Sequence, residues 1–143
     1  MATRQWVEID ERGTLRGNRL LVVEDDALIL MELETVLMDA GAEIVWGCQT
    51  VQAALALCGA EGLSAAVLDV RIGEETIAPV ARELASRGIP FMFYTGQLDT
   101  DLITSGWAAK VLPKPSSPRT IVAAVAEILR QDPRSADCGG GSS

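Results

Sequence analysis

The sequence predicts an α/β fold, a doubly wound five-stranded parallel sheet with helices on both faces. Three observations carry that expectation. Short β-branched or apolar runs alternate with longer segments of helical period, and each run is bounded by Gly, Asp or Pro. The first and third runs are apolar on both faces, as strands covered from both sides must be. The alternation itself calls for right-handed crossovers, which bring successive strands into parallel.

Strands are expected at 19–24 (RLLVVE), 42–47 (AEIVWG), 64–69 (SAAVLD), 90–95 (PFMFYT) and 109–113 (AKVLP). The first helix is expected from about 27 to 40, with Leu28, Met31, Leu33, Val36 and Leu37 as its apolar face and Gly41 just past its end. Val51, Ala54, Leu55 and Leu57 mark a second over about 50–60. Pro79 suits the first turn of a third that runs to Arg87 and stops at Gly88. A fourth, within 99–106, has the weakest periodicity, and the last, about 117–131, carries Ile121, Val122, Val125, Ile128 and Leu129 on one side. Residues 1–18 read as a polar N-terminal extension, 19–131 as the domain and 132–143, ending in CGGGSS, as a flexible tail.

Composition narrows the function. A chain of 143 residues holds one domain with a proper core. Acidic residues outnumber basic ones 20 to 12, for a net charge of −8, which argues against a sequence-independent grip on a nucleic-acid backbone. No nucleic acid is therefore expected as a partner. Cys48, Cys58 and Cys138 form no CxxC pair, and without histidine a zinc site has few possible ligands, so they read as reduced thiols. No apolar run approaches the roughly 18 residues of a membrane span, and the polar start lacks a secretory core. A cytoplasmic protein with no membrane contact is the expectation.

Candidate chemistry begins at Glu24, Asp25 and Asp26, adjacent carboxylates at the end of a buried strand. In a doubly wound sheet, ligands sit beyond the carboxyl ends of the strands, where Asp69 also falls. If strands one and three are neighbours, Glu24, Asp25 and Asp69 converge. At an effective dielectric near 20, each pair of charges about 4 Å apart repels by roughly 4 kcal/mol. A divalent cation relieves that, and Mg2+ suits an all-oxygen site with open positions for water or phosphate oxygens. Thr95 ends the fourth strand, with Gly96 after it, and Lys114 follows the fifth; a hydroxyl and an ammonium complete a site for phosphoryl transfer to a carboxylate.

In this chain order, LLVVEDD, AAVLDV, YTG and LPKP resemble the receiver domain of two-component response regulators over about residues 19–131. The stretch IPFMFYTGQ is similar to a stand-alone subgroup in which Phe-x-Thr-Gly ends the fourth strand. The resemblance implies the flavodoxin-like strand order 2-1-3-4-5. It implies that Asp69 is the phosphoacceptor, that Asp25 binds Mg2+ directly and Glu24 through a metal-bound water, and that the Arg71 backbone carbonyl adds an oxygen. Thr95 and Lys114 would contact the phosphoryl group, with a cis bond between Lys114 and Pro115. Asp26 reads instead as the start of the following helix.

Two positions depart from the family. Val111 stands where receivers commonly carry an aromatic residue, and DVRIGEETIAP lacks the usual Pro-Gly turn. Switching is then expected to use residues 96–108, where Gly96 and Gly106 flank a poor helical pattern.

A chain without histidine takes its phosphoryl group from a histidine kinase or phosphotransfer protein, or from a small phosphodonor. With a dozen residues after 131, the signal is expected to leave through a surface of the fourth helix, fifth strand and fifth helix toward a downstream protein target, the chain being a monomer or weak dimer. The reading is of a single-domain response regulator, not an enzyme beyond its own phosphorylation and dephosphorylation. Two other classes stay open. One is an unphosphorylated pseudo-receiver binding module. The other is a haloacid-dehalogenase-type phosphatase, which needs a second Asp where Arg71 stands.

Overall fold

The computed structural model of the protein describes residues 13–96 and 109–131. The strands are β1 (Arg19–Val23), β2 (Ile44–Cys48), β3 (Leu63–Leu68), β4 (Arg71–Ile72), β5 (Glu75–Thr76), β6 (Phe91–Thr95) and β7 (Lys110–Pro113). The helices are α1 (Ala27–Asp39), α2 (Val51–Leu57), α3 (Ala78–Ser86) and α4 (Pro118–Arg130), the last being the fifth in the sequence-based count. The fourth expected helix, all but Gly96 of the segment 96–108 expected to switch, Cys138 and residues 1–12 and 132–143 lie outside the described residues.

Five strands form one sheet in the order β2-β1-β3-β6-β7, all parallel. This is the expected order, with the two-stranded β4–β5 hairpin added after β3.

Successive side chains of a strand face opposite ways, so each central strand feeds two cores. Leu20, Val22, Ala65, Val67, Met92 and Tyr94 pack under α1 and α4. Leu21, Val23, Ala66, Leu68 and Phe93 pack under α2 and α3. Val111, at the usual aromatic position, packs half-buried against this second cluster, as does Trp46.

Helix α1 buries part of the face its periodicity suggests, Leu33 and Leu37 with Val36 packed against the core, but is rotated so that Leu30 joins them in place of Leu28 and Met31. Leu30, Leu33 and Leu37 are buried, whereas Leu28 and Met31 are 77% and 60% exposed. The segment ALILMELETVLMD is apolar around much of its circumference, so spacing alone cannot set its rotation. Its start is set by Asp26, which accepts hydrogen bonds from the amides of Leu28 and Ile29. Gly41 takes φ 103° just beyond its end, where a side chain would be strained.

Part of the segment assigned to the N-terminal extension joins the core. Leu15 is fully buried with α1 and α4, its amide donates to the Ala40 carbonyl at 2.9 Å, and the Asn18 carbonyl accepts from Glu43 at 2.7 Å. One apolar residue among polar neighbours has no period to reveal it. Leu15→Ala is expected to lower the free energy of unfolding by about 3 kcal/mol, because transfer and cavity costs add at such a site. Urea titration of the two proteins measures it.

Candidate functional site

The backbone places the acidic residues before their side chains matter. The Glu24 amide continues the β1–β2 ladder by donating to the Cys48 carbonyl at 3.0 Å, and the Asp69 amide extends β3 onto the Val23 carbonyl at 3.0 Å. The Lys114 amide donates to the Thr95 carbonyl at 3.0 Å, joining the ends of β6 and β7. Four parallel strands thus terminate together, and their next residues line one cleft. That cleft, of about 350 Å3, is lined by Glu24, Asp25, Asp26, Ile29, Asp69, Arg71, Gly73, Thr95, Gly96 and Lys114. Every residue singled out for the site lies on it. The Lys114–Pro115 peptide bond is cis, as the resemblance implied.

Within the cleft, Glu24 is 2% exposed and Asp69 and Thr95 are also buried, while Asp25 is exposed. Lys114 Nζ bridges the two buried carboxylates, 2.6 Å from Glu24 Oε1 and 2.8 Å from Asp69 Oδ2. The second Glu24 oxygen accepts from the Asp26 amide at 3.0 Å. The sequence account gave relief of carboxylate repulsion to a cation and kept Lys114 for the phosphoryl group. Lys114 itself supplies part of that relief, standing between Glu24 and Asp69. Four acidic residues on the cleft against Lys114 and Arg71 still leave a net negative site.

These contacts explain two titration shifts. Burial raises the Glu24 carboxyl above the usual range, with Asp69 adding to it and the Lys114 and Asp26 hydrogen bonds opposing. Burial pulls Lys114 down, but its hydrogen bonds to Asp69 and Glu24 outweigh that and hold the ammonium above the ordinary lysine value. Away from the cleft, burial pushes the Cys48 thiol up to about 11, and burial raises Cys58 as well. Both behave as small apolar groups.

Asp25 is held from two sides that spacing did not reveal. The Gly73 amide donates to Asp25 Oδ2 at 2.9 Å, and Gln49 Nε2 donates to the Asp25 backbone carbonyl at 3.1 Å. Gly73 heads the turn of the β4–β5 hairpin at φ 65°, and Glu74 stays at negative φ, the pattern of a II′ turn with glycine first. The hairpin stands where the resemblance to receivers would place a Pro-Gly turn. The signal was present as a glycine between two short pairs, but two-residue strands are too short to show alternation.

The donor set fits a hard divalent cation. Oxygens of Glu24, Asp25 and Asp69 all lie within 4.8 Å of one another. All three donors are hard carboxylate oxygens, the type that Mg2+ prefers, so these residues would hold such an ion directly or through water. Asp25→Asn keeps an acceptor for the Gly73 amide and removes one negative charge. It is expected to raise metal-free stability by about 0.5–1 kcal/mol, since an exposed charge is well screened, and to weaken Mg2+ binding more than tenfold. Thermal unfolding and calorimetric Mg2+ titration check both; a destabilised variant with unchanged Mg2+ affinity would count against the crowded cluster.

No family model and no curated protein matches the sequence. Solved structures do match. The response regulator PhyR from Brucella abortus aligns at TM-score 0.74 and 24% identity, over 91% of this chain and 55% of that one. The CheY-like response regulator receiver domain protein from Methanospirillum hungatei JF-1 aligns at TM-score 0.70 and 23% identity, over 82% of this chain and 98% of that one. The fold is that of a response-regulator receiver domain. The receiver domain of PhyR from Erythrobacter litoralis gives TM-score 0.72 at 21% identity and is covered over 95% of its length, against 84% of this chain. This receiver fold thus spans little more than half of the Brucella protein and nearly all of the isolated receiver domains. Among its described residues no helix is long and apolar enough to cross a membrane.

Proposed function

We propose that the protein is a response regulator whose receiver domain accepts a phosphoryl group on Asp69 from a phosphohistidine of a partner kinase or phosphotransfer protein. The observation that carries the reading is the meeting of Asp69, Asp25, Glu24, Thr95 and Lys114 in one cleft at the strand ends. In the transfer, an Asp69 oxygen forms the new P–O bond, the P–N bond of the donor breaks, and the imidazole leaves as it takes a proton. Glu24, Asp25, Asp69 and the Arg71 carbonyl would hold Mg2+, which supplies charge neutralisation on the phosphoryl oxygens. Lys114, already against Asp69, shields charge on the acceptor side, and the Thr95 hydroxyl donates to a phosphoryl oxygen. The signal then passes to a protein partner or onward as the phosphoryl group. Two PhyR structures from Bartonella quintana are described as anti-anti-sigma factors. From them we carry over only an output by protein contact.

Incubation with acetyl phosphate and Mg2+, read by intact mass, tests this. One added phosphoryl group that decays in buffer supports the receiver. Catalytic release of phosphate from a separately supplied phosphate monoester supports the phosphatase, and no addition from acetyl phosphate supports the pseudo-receiver module.

A further inference from the structure

Tyr94 makes two contacts at the site that filling the core does not require. Its side chain is buried with the cluster under α1 and α4. The ring centroid lies 5.7 Å from Lys114 Nζ, within reach of a cation–π attraction. The hydroxyl accepts a 3.2 Å hydrogen bond from the amide of Ser116. Ser116 Oγ in turn donates to the Pro113 carbonyl at 2.7 Å, and Ser117 caps α4 by accepting from the Thr120 amide. The segment 113–117 is therefore tied at its main chain by the hydroxyl, while the ring adjoins the tip of its one charged side chain.

A phenylalanine or leucine would fill the space, so packing alone does not account for the hydroxyl. Lysine needs such support: its ammonium ends a flexible four-carbon stem, and holding it in one place costs rotamer freedom. Glu24 and Asp69 attract the ammonium from one side. The Tyr94 ring adds attraction that does not depend on either carboxylate, one of which would be phosphorylated in the charged protein.

We propose that Tyr94 is a positioning residue for Lys114. It fixes where the ammonium stands beside Asp69 and joins that point to the N-terminus of α4 through Ser116. The proposal rests on the phosphoryl-accepting reading for its consequence in rate, and on the unphosphorylated protein for its geometry.

Two variants and two readouts test it. Tyr94→Phe keeps the ring and removes the hydroxyl; Tyr94→Leu removes both. In the unphosphorylated full chain, Ser116 amide exchange is expected to quicken about fivefold in Tyr94→Phe, the equivalent of one ordinary hydrogen bond. With acetyl phosphate at saturating Mg2+, Asp69 phosphorylation is expected to slow about threefold in Tyr94→Phe and about tenfold in Tyr94→Leu, while Mg2+ affinity by calorimetry stays within about twofold. That split is what positioning demands, because Tyr94 touches none of the proposed metal ligands. Unchanged exchange at Ser116, an unchanged rate in both variants, or a rate that falls only in step with Mg2+ affinity overturns the proposal. If Tyr94→Leu does not fold, Tyr94→Phe carries the decision. If the wild-type protein takes up no phosphoryl group, the functional reading fails, and Ser116 exchange still decides whether Tyr94 holds the segment.

Discussion

Asp69→Asn is expected to abolish phosphoryl uptake from acetyl phosphate and from any phosphohistidine donor, while the protein stays folded. The asparagine keeps the size of the side chain and an oxygen for Lys114, so the 2.8 Å contact survives as a hydrogen bond to a neutral acceptor. What disappears is the nucleophilic oxygen. Among the described residues of the cleft no other carboxylate stands ready to replace it. Glu24 has both oxygens engaged, by Lys114 and the Asp26 amide, and Asp26 is spent on capping α1. Asp25 remains, exposed and held by Gly73, and it belongs to the proposed metal set. Intact mass after incubation with Mg2+ and acetyl phosphate reads the outcome. A variant that still gained one phosphoryl group at the wild-type rate would move the acceptor elsewhere and sink the assignment.

The fold was largely legible because parallel sheets write themselves into sequence twice, as apolar runs and as the helices between them. β1 and β3, apolar on both faces, became central strands, and Asp26 and Gly41 marked the two ends of α1. The site was legible for the same reason. Once strands are parallel, residues just past their ends must meet, so Glu24, Asp25, Asp69, Thr95 and Lys114 follow from topology. Periodicity failed where it carries no phase. α1 is apolar nearly all round, and its buried stripe proved to be Leu30, Leu33 and Leu37. Isolated signals also went unread, including Leu15 between polar neighbours and the two-residue strands around Gly73. Distances are beyond any pattern: chain order places Lys114 near the acids, but only geometry puts its ammonium between two of them.

The second large effect belongs to that ammonium. Lys114→Met keeps most of the apolar stem and deletes the charge, leaving Glu24, at 2% exposure, without its cationic partner. Removing one member of a buried pair costs about 3–5 kcal/mol, because the remaining charge stays desolvated. Metal-free Lys114→Met is expected to lose about 3 kcal/mol at neutral pH, at the low end because the Asp69 side chain keeps 11% exposure and so part of its hydration. The loss has a pH signature whose sign follows from Glu24. Burial already raises its folded carboxyl above the usual carboxylate range, and losing Lys114 removes an opposing contact and raises it further. The folded variant then binds a proton more readily than the unfolded chain does. Its stability is therefore favoured at low pH and falls as pH rises from the ordinary carboxylate range through the raised value. Mg2+ should reverse much of the defect. A cation at 100 times its dissociation constant adds about 2.7 kcal/mol, and a site stripped of its lysine binds it more tightly than the wild type does. Urea unfolding at acid and neutral pH, with and without Mg2+, reads all three effects. A metal-free variant as stable as the wild type would mean that Glu24 and Asp69 do not need Lys114, and the crowding on which the cation site rests would be gone.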